Sequence, residues 1–280
     1  MDANAAKLKM ENLIHHLADL DSLLVAFSGG VDSAFLLVMA QQVLGEKFVA
    51  ATASSIIHPV RETAEAKDFA RKRGLSLIIF PSEALSIPGF AVNSPDRCYL
   101  CKKSLFEKIF EIAREKGIRH VAHGANLDDL ADYRPGFRAA KEAGVIAPLI
   151  DAQLGKEEIR FLSKEMGLST WDRPAMPCLA TRFPYGSLIT EENLKMVEYA
   201  ESFLLEQGFK VIRVRHHGSV ARVEVGRSEM EKIMDEELNK AIVEKFRKIG
   251  FEHVALDLEG YVSGSLNRAL RKSGQKKDIN

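Results

Sequence analysis

The run Ser28-Gly29-Gly30-Val31-Asp32-Ser33 limits this chain more tightly than any other stretch. It follows five apolar residues, 23–27, and opens an apolar helical stretch, 33–44. Two adjacent glycines let the backbone turn sharply and bring its N–H groups close to an anion. The helix behind the turn adds free N–H donors and the positive end of its dipole. Ser28 and Ser33 contribute hydroxyls, and Asp32 can hold Mg²⁺ against phosphate. A tight strand-to-helix turn capped by Asp32 or Ser33 is the simpler reading, but a cap alone does not ask for two glycines, two serines and an acid together. The run is not a Walker loop. Ile150 stands where that spacing needs a glycine before Gly155-Lys156, and no Gly-x-Gly-x-x-Gly occurs.

Around this turn, short apolar runs alternate with helical stretches. Helix is expected at residues 4–20, 33–44, 60–73, 103–116 and 156–166, and strand at 23–27, 48–53, 76–80, 120–124 and 145–149. Pro59 opens the second of these crossover helices, and Gly117 and Gly167 close later ones. Near-continuous apolar strands between helices predict an α/β fold, a doubly wound parallel sheet covered on both faces. Two irregular stretches, 81–96 and 168–188, are rich in proline, and long connections of this kind are commonly functional. Beyond Ser187 the pattern changes. A helix up to Gln207, strands at 210–216 and 220–225 around His217-Gly218-Ser219, helices at 228–235 and 237–249 and a strand at 253–258 make a smaller α+β domain. The expected division is a phosphate-binding domain at 1–187, a second domain at 188–262 and a polar tail at 263–280, basic from Arg271 and carrying Lys276 and Lys277.

With 280 residues, and about 100–200 residues per domain, one large or two modest domains are expected. Lys+Arg and Asp+Glu both number 39, so no net charge draws the chain onto nucleic acid. No apolar run approaches the ~18 residues of a membrane span, and acids occupy the N-terminal region where a secretory signal would be apolar. The expectation is a cytoplasmic protein whose three cysteines stay reduced and serve as ligands, nucleophiles or core.

Ser-Gly-Gly-x-Asp-Ser resembles the signature of the PP-loop superfamily of ATP pyrophosphatases. That likeness implies cleavage of ATP between its α and β phosphates and adenylation of a carbonyl or carboxyl oxygen. Ligands of doubly wound sheets lie beyond the carboxyl ends of the strands. The expected ATP site is therefore Ala26, Phe27, Ser28, Gly29, Gly30, Val31, Asp32 and Ser33, with Ser54, Arg61 and Gly124. Arg61 can reach phosphates or simply face solvent. Asp128 and Asp129 can meet substrate or cap a helix.

Cys98 and Cys101 form a Cys-x-x-Cys pair, and Cys178 lies far along the chain. A structural zinc site commonly takes four ligands, and no histidine adjoins these cysteines. A thioredoxin-like pair leaves Cys178 unexplained. Three thiolates can hold a [4Fe–4S] cluster with one iron open. Three unrelated thiols are the remaining reading. Arg97, Lys102 and Arg182 flank the cysteines and can meet substrate charge or favour the thiolate. Arg213 and Arg215 alternate along one strand, so their forks face one side and suit a phosphate, a polar strand face or a subunit contact. His216-His217 can bind metal or stay solvated.

Longer words narrow the choice. Asn93-x-Pro95-Asp96-Arg97-Cys98-Tyr99-x-Cys101-Lys102, Gly124-Ala125-Asn126-x-Asp128-Asp129-x-x-Asp132-Tyr133-Arg134-Pro135-Gly136, Pro174-x-x-Pro177-Cys178-Leu179-Ala180-Thr181-Arg182-x-Pro184-Tyr185-Gly186 and Arg213-Val214-Arg215-His216-His217-Gly218 together resemble the LarE family. The likeness runs from the phosphate loop through Leu258. It implies an ATP- and Mg²⁺-dependent sulfurtransferase that acts on a pyridinium dicarboxylate mononucleotide and serves synthesis of the nickel-pincer nucleotide cofactor. Some members carry one cysteine, at the position of Cys178, and sacrifice its sulfur. Others carry three and hold an iron–sulfur cluster, and this chain has the three-cysteine pattern. By that resemblance Cys98, Cys101 and Cys178 ligate a [4Fe–4S] cluster, and sulfide on its open iron is the sulfur delivered. Cys178 and Asp32 are then the catalytic residues, and Arg97, Asp128, Asp129, Arg182, Arg213 and Arg215 meet the substrate. A sulfide or other sulfur donor and a homo-oligomer are also implied.

Two other readings compete. A PP-loop enzyme thiolating tRNA would call for a strongly basic surface or an added RNA-binding module, and neither shows in the sequence. A non-catalytic nucleotide-binding or iron–sulfur sensing module would bind ATP without releasing pyrophosphate.

Overall fold

The computed structural model describes residues 1–131, 135–174 and 177–268. Asp132, Tyr133 and Arg134 of the second long motif, and the basic tail with Arg271, Lys276 and Lys277, lie outside the described residues. The chain divides into two compact units. One comprises residues 1–87 and 96–176, the other 88–95 and 177–280. Segments 88–95 and 177–187, expected with the phosphate-binding domain, are thus grouped with the second unit.

In the first unit, helices α1 (Ala3–Ala18), α2 (Val31–Leu44), α3 (Val60–Lys72), α4 (Arg97–Glu115), α5 (Pro135–Glu142), α6 (Pro148–Asp151) and α7 (Lys156–Glu165) surround strands β1 (Leu23–Ala26), β2 (Phe48–Ser54), β3 (Leu77–Pro81) and β4 (His120–His123). The strands pair in parallel in the order β3-β2-β1-β4. Side chains alternate across a strand. Leu23 and Val25 therefore enter one core with Leu13, Leu17, Phe35, Ile159 and Leu162, while Leu24 enters the opposite core with Phe106, Ile109, Ile112 and Ala140. Burial on both faces is what a near-continuous apolar strand requires. Helix α2 is apolar on nearly every side, from Val31 to Ala40, and it is buried to match.

A fifth strand at 145–149 does not form. Ile146 makes a single parallel bridge to Ala122, with bonds from His123 N to Ile146 O (3.1 Å) and from Ile146 N to Val121 O (2.9 Å). Pro148 then stands in the first turn of α6. Proline lacks the N–H that a ladder needs, and its fixed φ suits a helix start, so the pairing stops after one residue.

The second unit holds α8 (Glu191–Glu206), β5 (Ile212–His217), β6 (Val220–Val225), α9 (Met230–Ile233), α10 (Glu236–Ile249) and β7 (His253–Leu256). Strand β6 pairs antiparallel with β5 and parallel with β7. Leu204, Phe209, Val214, Val223, Ile242, Phe246 and Phe251 fill its core. Thr190 caps α8 by accepting the N–H of Asn193 at 3.1 Å, and Asp235 caps α10 through Leu238 at 2.9 Å. Segment 88–95 belongs here because Asn93, fully buried with φ +56°, donates its amide to the carbonyls of Phe183 (3.2 Å) and Pro184 (2.6 Å).

Candidate functional site

Parallel register brings the strand ends level. Ala26 stands opposite Ala51 on β2 and His123 on β4, so the chain leaves β1 at Phe27 with Gly124 alongside. Gly29 then adopts φ +77°, a conformation side chains resist, and Gly30 forms the N-cap of α2. The turn is held by its own serines. Ser33 Oγ donates to Gly30 O at 3.1 Å, accepts Ser28 N–H at 3.3 Å and lies 3.0 Å from Ser28 Oγ. Arg173 donates from Nη1 to Gly29 O at 2.8 Å and pairs with Glu65 of α3 at 3.0 Å.

Gly124 is required by contact. A Cβ there would stand 2.7 Å from Ser33 N and 2.8 Å from Ser33 Cα. The segment leaving β4 thus lies directly on the first turn of α2. Beyond it, Asn126 Oδ1 accepts Asp128 N–H, and Asp129 accepts Asn126 N–H, each at 3.0 Å. Asp128 also accepts the N–H of Lys156, the first residue of α7, at 2.7 Å. Asp128 therefore caps a helix in this structure, one of the two roles its sequence allowed.

Asp32 Oδ2 pairs with Lys156 Nζ at 2.5 Å. Burial lifts the Asp32 carboxyl above its ordinary value, Lys156 pulls it back and Asp129 pushes it up again. The other oxygen, Oδ1, is buried with no hydrogen-bond partner among the described residues. A buried, unpartnered carboxylate oxygen beside a phosphate-type loop is the donor that a hard divalent cation takes, so the site fits Mg²⁺. Ser55 Oγ, past the end of β2, is likewise buried and unpartnered. Ser54 is exposed at the end of β2, and Arg61 lies half-buried in the first turn of α3.

Helix α4 begins at Arg97, six residues before the expected start. The Pro95-Asp96 pair that precedes it is a helix-entry signal, so Cys98 and Cys101 lie one turn apart in its first two turns. Both are half-buried, as is Cys178 in the second unit, and none is in a disulfide. Arg97 is buried. Beside this turn, burial and the neighbouring Lys102 hold the imidazoles of His58 and His123 neutral, each with its pKa lowered to about 4. Among the described residues no three His, Cys, Asp or Glu side chains gather as a metal site.

In the second unit the arginines bring their carboxylates with them. Arg182 forks onto Glu201 at 2.9 and 2.8 Å, and Arg215 onto Glu224 at 2.9 and 2.7 Å, all buried. Arg213 lies over the Tyr261 ring at 4.9 Å. Burial first, and Arg182 second, press its guanidinium below the ordinary arginine range. His216 packs between Phe183 and Phe251 and His217 accepts Arg222 Nε at 3.3 Å, so both imidazoles have protein neighbours.

Lys156 and Arg173 escaped sequence reasoning. Lys156 left one signal, since a cation at the first position of a helix opposes the helix dipole and asks for a local anion. Arg173 left none, because its partners Gly29 and Glu65 are distant in the chain.

Residues 3–87 match the PP-loop domain family. An uncharacterized protein of Synechocystis sp. is 40% identical over 264 residues, 94% of this chain and 98% of that one. The pyridinium-3,5-bisthiocarboxylic acid mononucleotide synthase of Lactiplantibacillus plantarum is 35% identical over 266 residues, 95% of this chain and 96% of the relative. A glutamine-hydrolyzing GMP synthase polypeptide of Archaeoglobus fulgidus is 25% identical over 203 residues, 66% of this chain and 64% of the relative. A phosphate loop on the first strand of a parallel sheet, with a relative matched along nearly the whole chain, places this protein in the LarE family of PP-loop, ATP-dependent sulfurtransferases.

Proposed function

We propose that the protein adenylates a carboxylate of pyridinium-3,5-biscarboxylic acid mononucleotide and converts it to a thiocarboxylate, a step in making the nickel-pincer nucleotide cofactor. The observation that carries this reading is the full-length likeness to a synthase of the bisthiocarboxylic product, on a chain that keeps the phosphate loop intact.

A carboxylate is a poor electrophile because oxide is not a viable leaving group. Its oxygen attacks the α-phosphorus of ATP, the bond to the β-phosphate oxygen breaks, and pyrophosphate departs. Backbone N–H groups at Gly30–Ser33, at the start of α2, meet the developing charge. Mg²⁺ held by Asp32 Oδ1 would supply further neutralisation of the leaving pyrophosphate. A sulfur nucleophile then attacks the acyl carbon and AMP leaves, so the carboxyl oxygen departs with AMP and C–S replaces C–O. Ser54, Arg61 and Gly124 are assigned to the ATP side. Arg97, Asp128, Asp129, Arg182, Arg213 and Arg215 are assigned to the substrate. Burial and the Arg182 charge both disfavour the Arg213 cation, and a phosphate monoester bound beside it would relieve that cost.

For the sulfur we assign a [4Fe–4S] cluster on Cys98, Cys101 and Cys178, with a homo-oligomer as the working assembly. Three reduced thiols, two of them one helical turn apart, support the donor set. When bound, a three-thiolate cluster offers an open iron able to carry sulfide. Nothing in the adenylation step requires the three thiols.

The test is anaerobic turnover with the mononucleotide, ATP and sulfide, beside iron and acid-labile sulfide analysis. AMP and pyrophosphate in step with thiocarboxylate, and about four irons per chain, are expected. Cys178→Ala is expected to abolish thiocarboxylate while ATP still binds. Protein that holds zinc or no metal overturns the cluster assignment, and ATP binding without pyrophosphate release overturns the enzyme.

A further inference from the structure

The phosphate loop is braced from outside by a residue with no place in its motif. Arg173 lies in the stretch after α7, near its C-terminal end, and is fixed at both ends. Its backbone carbonyl accepts Arg160 Nη2 at 2.7 Å, while Trp171 O accepts Arg160 Nη1 at 2.9 Å. Lys164 of α7 lies over the Trp171 ring at 4.7 Å, which seats the same turn on the helix. From there the guanidinium reaches Gly29 O at 2.8 Å, with Glu65 of α3 holding its other nitrogen at 3.0 Å.

The peptide bond gives this contact its meaning. Gly29 C=O and Gly30 N–H belong to one planar trans unit and point in opposite directions. Neighbouring glycines have little intrinsic preference, so a Gly-Gly peptide can flip between orientations. A charged donor on the Gly29 carbonyl selects one of them. Gly30 N–H is then turned away from Arg173, and no described group accepts a bond from it. We propose that Arg173 is a positioning residue of the cradle: it holds the Gly29–Gly30 peptide so that Gly30 N–H faces the pyrophosphate of ATP, with Glu65 and Arg160 holding Arg173 itself. The proposal rests on the ATP-adenylating reading above. It assigns Arg173 a job at the β and γ phosphates without direct contact to them.

Calorimetry on the full-length protein tests it, using inorganic pyrophosphate and AMP as separate probes in the presence of Mg²⁺. For Arg173→Ala, a charged hydrogen bond withdrawn from the loop is expected to weaken pyrophosphate about 10- to 100-fold. AMP, which lacks the β and γ phosphates, is expected to change less than about threefold. Arg173→Lys keeps a single cationic donor and is expected to recover part of the loss. Glu65→Gln leaves the arginine but loosens it, and gives an intermediate loss without disturbing the turn after α7. In turnover, the loss is expected in KM for ATP more than in kcat. Pyrophosphate binding within twofold of wild type in both Arg173→Ala and Glu65→Gln overturns the proposal. Equal weakening of AMP and pyrophosphate also overturns it, since that marks general damage. Wild-type protein that binds no pyrophosphate overturns the ATP reading itself, which the variants alone do not.

Discussion

Gly124→Ala puts the packing of the phosphate loop to a quantitative test. The added methyl would stand 2.8 Å from Ser33 Cα, 2.7 Å from Ser33 N and 3.1 Å from the carbonyl carbon of Asp32. Carbon atoms rest at about 3.5–4.0 Å, so the first turn of α2 and the exit of β4 must part by roughly 0.7 Å. All three atoms are backbone, and no rotamer change relieves the clash. Overpacking of this kind costs about 1–3 kcal/mol. The same displacement moves the N–H donors that face pyrophosphate from about 2.9 Å to beyond 3.5 Å, the outer limit of a useful bond. A hydrogen bond to a charged group is worth about 1.5–3 kcal/mol, so at about 1.4 kcal/mol per tenfold the loss of one such bond is expected to lower ATP affinity roughly ten- to hundred-fold. Gly155→Ala is the companion control, since a Cβ there meets side-chain carboxylates alone, Asp128 at 3.4 Å and Glu158 at 3.6 Å, and no backbone. Isothermal calorimetry with ATP and Mg²⁺, alongside urea unfolding, reads both effects. Gly124→Ala protein that binds ATP within twofold of wild type would refute the reasoning, whatever its stability.

Other expectations follow from the same geometry. Lys156→Ala removes the group that opposes burial at Asp32, so the acid limb of Mg²⁺-ATP binding is expected to move to higher pH; an unmoved limb contradicts the pairing seen at 2.5 Å. His123 stays neutral in the fold with its pKa lowered to about 4 and takes up a proton near 6.5 once unfolded. Its contribution to stability is therefore present above pH 6.5 and lost as pH falls towards 4, by at most about 3 kcal/mol. Urea unfolding of wild type and His123→Gln across pH 4–7 checks this, and parallel pH profiles contradict it. Arg182→Ala leaves Glu201 buried beside Val214 N–H without its guanidinium, and is expected to cost about 3–5 kcal/mol of unfolding free energy. Pairing it with Glu201→Leu is expected to restore much of that loss, and a double variant no more stable than the single contradicts the buried pair.

The first strands and the phosphate loop were legible because each carries its own local cause: an unbroken apolar run for a strand buried on both faces, and a glycine pair before a helix for an anion nest. Local causes can also mislead. The run at 145–149 has the apolar character of a strand, but Pro148 removes a ladder donor and starts α6. Helix α4 reads from Lys103 when Cys98, Tyr99 and Cys101 are grouped with the irregular stretch before them. Asp96 is its N-cap, and the helical turn that carries the two thiols precedes the expected start. Arg182 and Arg215 could be picked as cations on a short motif and a strand. Their bidentate partners, Glu201 and Glu224, are set by tertiary packing, which no spacing in the sequence reveals. Lys156 and Arg173 show the same limit, for they reach Asp32 and Gly29 from 124 and 144 residues away.

Oxygen tracing bears most directly on carboxylate activation. With the mononucleotide labelled by ¹⁸O in its carboxylates, one labelled oxygen is expected to appear in AMP for each thiocarboxylate formed, with pyrophosphate unlabelled. Unlabelled AMP, or ADP and inorganic phosphate in place of AMP and pyrophosphate, would contradict adenylation at the Ser28–Ser33 loop.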